Sequence, residues 1–170
     1  MPRYVAFLRG VMPTNCRMAD LRAAFETAGF DDVRTILASG NVAFNTRKSP
    51  QATIERKVEA AIFAGLGRSF ETYVRNADDL RALLDRDPFK PFRIPADARR
   101  VITFLRSAPR VPRLPVVLHE ARILAVEGCE AFTMYRRVAE TPDFMKLIAQ
   151  TFGKEQTTRT WETVTRCVAA

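Results

Sequence analysis

Histidine and cysteine are scarce in this chain, and that scarcity excludes whole classes of chemistry. The one histidine, His119, lies in PVVLHEAR, where a lone imidazole is more often a packing or surface residue than a ligand. The three cysteines, Cys16, Cys129 and Cys167, are odd in number, far apart and never in a C-x-x-C pair. Neither a disulfide framework nor a zinc knuckle is indicated, and a catalytic thiol would have only His119 as its base. The phosphate motifs G-x-x-x-x-G-K-[ST] and G-x-G-x-x-G are missing, as are H-E-x-x-H and G-x-S-x-G. No apolar run approaches the roughly 20 residues that cross a bilayer. The opening MPRYVAFLRG breaks at Arg9 and lacks a small-residue cleavage pattern. The cytoplasm is the expected compartment, and no metal or cofactor is implied.

What is present is an ordinary globular composition. With 170 residues, 47% hydrophobic and 27% charged, the chain can bury a real core as one large domain or two small halves. The net charge of +8 is uneven: residues 1–87 carry +2 and residues 88–170 carry +6. Such a balance favours anionic partners and makes their binding salt-sensitive. Arg outnumbers Lys by 22 to 5, however, a bias that a GC-rich genome produces without selection for binding.

Hydrophobic spacing orders the elements. Arg3 to Arg9 is apolar on both faces, the pattern of a central strand covered on each side. Met18, Leu21, Phe25 and Ala28 fall at helical spacing over Arg17 to Ala28, with Gly29 as the terminator. Val33 to Ala38 and Asn41 to Asn45 form a hairpin about Ser39-Gly40-Asn41, in which Gly40 is best able to take positive φ. Ser49-Pro50 opens a second helix through Leu66, and Phe70 to Arg75 supplies a fourth strand. The order β-α-β-β-α-β predicts a ferredoxin-like (split βαβ) antiparallel sheet, followed by a short helix capped by Asn76.

Three prolines in PFKPFRIPADARR mark 88–98 as a connector between a first half, 1–87, and a second, 99–170. The second half reads as a strand at Arg100 to Arg106 and a stretch broken by Pro109, Pro112 and Pro115. A hairpin about Glu127-Gly128 follows, then a helix begun by Thr141-Pro142-Asp143 and a last helix from about Arg159. It looks like a degraded copy of the first half, although no stretch of residues repeats plainly. Phe152 and Trp161 are expected in the core. The fold class is thus α/β (α+β), two ferredoxin-like halves with the second degraded.

Three pieces carry a family likeness: YVAFLRGV at Tyr4 to Val11, MADLRAAFETAGFDDVRTILASGNVAF at Met18 to Phe44, and TTRTWETV at Thr157 to Val164. Together they resemble the domain-of-unknown-function family 1697 of bacterial cytoplasmic proteins, over nearly the whole chain. The loop after Arg9-Gly10 reads Val11-Met12-Pro13-Thr14-Asn15 where many members have Asn-x-Gly-Gly, and Thr160 stands where they carry Asn. The resemblance implies two related α/β halves and no assigned activity.

Two candidate sites emerge. Thr157, Thr158 and Arg159 precede the last helix, where free amides, two hydroxyls and a guanidinium would hold an anion or phosphate. The alternative is a plain Thr cap with Arg159 paired to a carboxylate. Arg9, Gly10, Ser39, Gly40 and Asn41 form the second: antiparallel pairing of the first and third strands brings Arg9 toward Asn41, making a polar notch or simply a turn and a sheet end. The expectation is a small anionic or phosphorylated ligand held between the halves by both sets. Nucleic-acid binding through aromatics on the sheets and through Arg99-Arg100 and Arg136-Arg137 is the rival, and an oligomer-forming or structural role the third. Asp31-Asp32 and Asp78-Asp79 sit at element ends and receive no catalytic role. No nucleophile is paired with a base, and no reaction, ligand identity or oligomeric state is named.

Overall fold

Among the described residues fourteen elements follow one another: β1 (Arg3–Leu8), α1 (Met18–Thr27), β2 (Asp31–Ile36), β3 (Asn41–Asn45), α2 (Gln51–Leu66), β4 (Thr72–Asn76), α3 (Ala77–Arg86), β5 (Ala98–Leu105), β6 (Val116–Leu118), β7 (Ala121–Glu127), β8 (Glu130–Arg136), α4 (Asp143–Phe152), β9 (Gln156–Thr160) and α5 (Trp161–Ala169). They come from a computed structural model describing residues 1–137 and 142–170, so Thr141, expected to open the fourth helix, lies outside the described residues. The fold is mixed α+β with two antiparallel sheets. Two units divide it, Met1–Asp85 with Val164–Ala170, and Arg86–Thr163. The last seven residues therefore group with the first unit, where Val168 O accepts from Arg81 Nη2 and Ala170 O from Arg3 Nε.

In the first unit the strands run in the order β2-β3-β1-β4, with β1 and β3 as the antiparallel central pair. One face of this sheet, Tyr4, Ala6, Leu8, Val42, Phe44 and Val74, packs on Leu21 and Phe25 of α1 and Ile54, Val58 and Ile62 of α2. Phe25, Phe30 and Phe44 meet there with ring centroids 4.9 to 5.6 Å apart, and truncating such a buried ring costs about 3–5 kcal/mol. On the other face Val5, Phe7, Ala43 and Tyr73 are also fully buried, as the two-sided apolar pattern of β1 requires. The open edge of β4 is sealed by α2: Glu59 Oε1 accepts from Thr72 N at 3.1 Å and Glu55 Oε2 from Val74 N at 2.9 Å. Outward strand amides that would otherwise pair with another chain are thereby occupied.

Element boundaries shift for local reasons. β2 ends at Ile36 because Leu37 takes a φ of +59°, so the hairpin turn covers 37–40 rather than Ser39 to Asn41. Ser49 does not cap α2; Pro50 holds that position, and the Ser49 hydroxyl donates back to Arg47 O at 3.4 Å. Asn76 does cap α3, its Oδ1 accepting from Asp78 N at 2.8 Å and Asp79 N at 3.3 Å.

The second unit has the sheet order β6-β7-β8-β5-β9. Val101, Ala121 and Ile123 pack on Phe144, Leu147 and Ile148 of α4, while Ile102, Phe104, Phe132 and Met134 are buried on the other face. Two strands escape a reading by periodicity. β6 is only three residues long beside Pro115, and β9 replaces the expected start of the last helix. Phe152 and Trp161, expected in the core, are half-buried, with the Trp161 ring edge-on to Phe89 at 5.5 Å.

Set β6 aside and the order β7-β8-β5-β9 repeats β2-β3-β1-β4. The match extends to single bonds: Leu8 N donates to Gly40 O and Leu105 N to Cys129 O, each at 2.8 Å. Phe7 pairs with Asn41 and Phe104 with Glu130. With that register in hand, Arg3 to Gly10 (RYVAFLRG) aligns with Arg100 to Ser107 (RVITFLRS). A repeat is therefore plain in the sequence, contrary to the expectation that none would be.

Candidate functional site

The expected residues fall into two sets, one in each unit. In the first sheet Asn41 lies opposite Phe7, and at the same end Leu8 N donates to Gly40 O and Arg9 N to Glu71 O, each at 2.8 Å. Asn41, however, is fully buried and spends its amide on Ile36 O and Ser39 Oγ, both at 2.9 Å. Gly40 is packed down as well, at φ +86°, with a hypothetical Cβ only 2.9 Å from Val11 Cβ. Turn formation accounts for both residues.

Thr157, Thr158 and Arg159 belong to β9, opposite Phe104, Thr103 and Ile102 of β5. They are not the helix start. α5 begins at Trp161, and Thr160 Oγ1 accepts from Thr163 N at 3.3 Å as its cap. Thr157 is buried, and the Arg159 Nη1 donates to Thr157 Oγ1 and Thr158 O, both at 2.8 Å. The geometry of a free helix N-terminus, on which the anion reading of these residues rested, is therefore absent there.

Sequence reasoning missed a concavity of about 700 Å³ in the first unit. The loop after Gly10 forms one wall, with Asn15 as its clasp: Oδ1 accepts from Met12 N and Nδ2 donates to Gly10 O, both at 2.9 Å. Ala23, Ala24 and Thr27 of α1 with Ala28 just after it, and Ala61, Ala64 and Gly65 of α2, give a floor of small residues. Arg17 and Arg68 stand at the rim with Asp20. Arg68 lies 4.7 Å over the Phe70 ring and reaches Asn15 O at 3.4 Å, while Arg17 sits 4.0 Å from Asp20. The visible signal was Arg17 and Arg68 beside a run of small residues, but periodicity marks only the faces that turn inward.

Nothing in this site is poised for covalent chemistry. Burial, then the charge of Asp20, pushes the Cys16 thiol up, with Arg68 pulling the other way. A protonated thiol is a poor nucleophile. In the second unit His119 Nδ1 lies 2.8 Å from Asp143 Oδ2. No group of three or more His, Cys, Asp or Glu able to hold a metal occurs among the described residues. Of the aromatics on the two sheets, Tyr4, Phe7, Phe44, Tyr73, Phe104 and Phe132 are buried and Tyr135 is half-buried.

Two antiparallel sheets in an α+β fold define a class by architecture rather than by reaction. The family model for a protein of unknown function, DUF1697, matches residues 1–132, and the chain belongs to that family. In the solved structures the chain is similar to the conserved bacterial protein SP0830 from Streptococcus pneumoniae, with 20% identity and a TM-score of 0.74. That likeness covers 99% of this chain and 97% of the other, and it shows the fold. No curated protein matches. Among the described residues no helix is long and apolar enough to cross a membrane.

Proposed function

We propose that the protein is a cytoplasmic binder of a small amphipathic anion, a phosphate monoester or carboxylate with an apolar body, held in the first unit. We read both sheets as ferredoxin-like in strand order, an arrangement that leaves the loop after the first strand free to carry a site. One observation carries the reading: two guanidiniums, Arg17 and Arg68, rim a concavity of about 700 Å³ floored by alanine and glycine. Cations at a rim with an apolar floor select a ligand charged at one end. Asp20 leaves the rim at +1, enough to favour a singly or doubly charged anion. Arg9 and Gly10 serve as the root of the loop that walls the site, since Gly10 O is one of the two atoms Asn15 clasps. Cys16, Cys129 and Cys167 are not joined in disulfides, in keeping with a reducing compartment.

The test is a thermal-shift and calorimetric screen of phosphate monoesters and aryl carboxylates against the full chain. A ligand at 100 times its Kd adds about 2.7 kcal/mol to stability, and Arg68→Ala should abolish most of that gain. A gain that survives both Arg68→Ala and Arg17→Ala would overturn the assignment. So would the lack of any gain at millimolar ligand, or a salt-sensitive gel shift with labelled RNA or DNA in its place.

A further inference from the structure

The corner that roots the first-unit site is duplicated. Arg9 and Arg106 each follow a leucine whose amide binds the turn residue just before the facing strand, through Leu8 N to Gly40 O and Leu105 N to Cys129 O. In the first unit the chain then enters α1. In the second, Pro109, Pro112 and Pro115 forbid that helix, and an irregular loop runs on to β6. In both units a glycine of positive φ follows the helix before the last strand, Gly67 after α2 and Gly153 after α4, although their ψ angles differ, at 14° and −154°.

Between this second corner and the end of α4 lies a concavity of about 240 Å³. Leu105, Arg106, Ser107, Pro109 and Arg110 line one side, and Thr151, Phe152 and Glu155 the other. It stands at the topological place of the first-unit site, which Arg9's loop and Leu66 border. Loss of the first crossover helix removed the alanine wall, so what remains is smaller and lined by two guanidiniums, two hydroxyls and one carboxylate. A void of that size holds a tetrahedral oxyanion with a few waters, at about 30 Å³ for each water, and leaves no room for a large apolar body.

From this geometry we infer a second anion site, for a phosphate-like oxyanion, bounded by Arg106, Ser107, Arg110 and Thr151. The exposed Arg110 supplies the cation that a ligand recruits from the loop. Glu155 opposes binding and sets the affinity low. The inference stands independently of the first-unit proposal, because it rests on different residues and a different ligand.

Sodium phosphate is titrated into the isotopically labelled full chain at constant ionic strength, with sodium chloride as the control, and amide shifts are followed. Saturating, phosphate-specific shifts are expected at Ser107 to Arg110 and Thr151 to Glu155. Arg110→Ala should weaken the phosphate Kd about 10- to 100-fold, the loss of one charge-assisted hydrogen bond. Glu155→Gln should strengthen binding, and Arg68→Ala should leave it unchanged. Equal shifts with chloride, an unchanged Kd in Arg110→Ala, or weaker binding in Glu155→Gln would overturn the site. Shifts confined to Arg17 and Arg68 would also overturn it, while leaving the first-unit reading intact.

Discussion

The floor of the first-unit site depends on how closely α1 approaches α2, and Gly65 sets that approach. A Cβ added at Gly65 would sit 2.6 Å from Ala24 Cβ and 3.2 Å from Ala24 Cα. Two effects then compete in Gly65→Ala. Helix propensity favours Ala over Gly by at most about 1 kcal/mol, and less here because Gly65 is the penultimate residue of α2. Overpacking a filled interface costs about 1–3 kcal/mol. The clash should win, for a net loss of about 1–2 kcal/mol. Ala24→Gly, on a buried position, loses about 1 kcal/mol of propensity and about 0.8 kcal/mol of methyl burial. The double variant moves the methyl from one helix to the other, so it should lose only about 1–2 kcal/mol instead of the roughly 3–4 kcal/mol that additivity requires. Urea unfolding followed by far-UV circular dichroism measures all four corners of the cycle. Trp161 fluorescence would report on the second unit instead. Additivity within about 0.5 kcal/mol would refute the close approach and, with it, the shape assigned to the floor.

Two further outcomes follow from the same structure. Gly10→Ala adds a Cβ at φ +83° with nothing within 4 Å, whereas Gly40→Ala adds one at φ +86° against Val11 and Leu8. The first should cost about 1–2 kcal/mol of backbone strain and the second about 1–3 kcal/mol more, so equal midpoints in urea would refute the packing of the turn. Because burial raises the Cys16 pKa above its ordinary value of 9.0, the native state holds that proton more tightly than the unfolded chain. Stability from this source is complete below about pH 9 and declines as pH rises through the raised value. Cys16→Ala should remove that alkaline component from a pH series of thermal melts.

What could be read from the residues followed from how much of each element is buried. β1 is apolar on both faces and proved covered on both, and α4 carries Phe144, Leu147 and Ile148 on one face toward β7. β9 hid because Thr157, Thr158, Arg159 and Thr160 have no apolar alternation, so a polar edge strand looks like the run-up to a helix. Glu55 and Glu59 carry no apolar signal either, since a charged residue on a helix does not reveal what it faces, yet their carboxylates cover the β4 edge. The first-unit concavity is lined by residues that helical periodicity passes over, small ones on two helices and polar ones in a loop. Asn41 lies opposite Phe7, two residues before Arg9, and spacing alone could not show that its amide was already committed to the turn.

The duplication shows why register outlasts residue identity. Leu8 and Leu105 make the same bond to the residue just before the facing strand, yet that residue is Gly40 in one unit and Cys129 in the other. The four-residue turn 37–40 places its last left-handed residue at Gly40 itself, where Val11 and Leu8 leave no space for a side chain. In the shorter turn of the second unit the left-handed position falls one residue earlier, on Gly128 at φ +56°, so Cys129 escapes the strain and can carry a side chain. The acceptor carbonyl reaches the same donor by two backbone routes. Side chains around the turn are then free to diverge, while the strand ending in Leu-Arg is held by the bond it makes, and Arg9 and Arg106 remain at matching corners of two otherwise dissimilar halves.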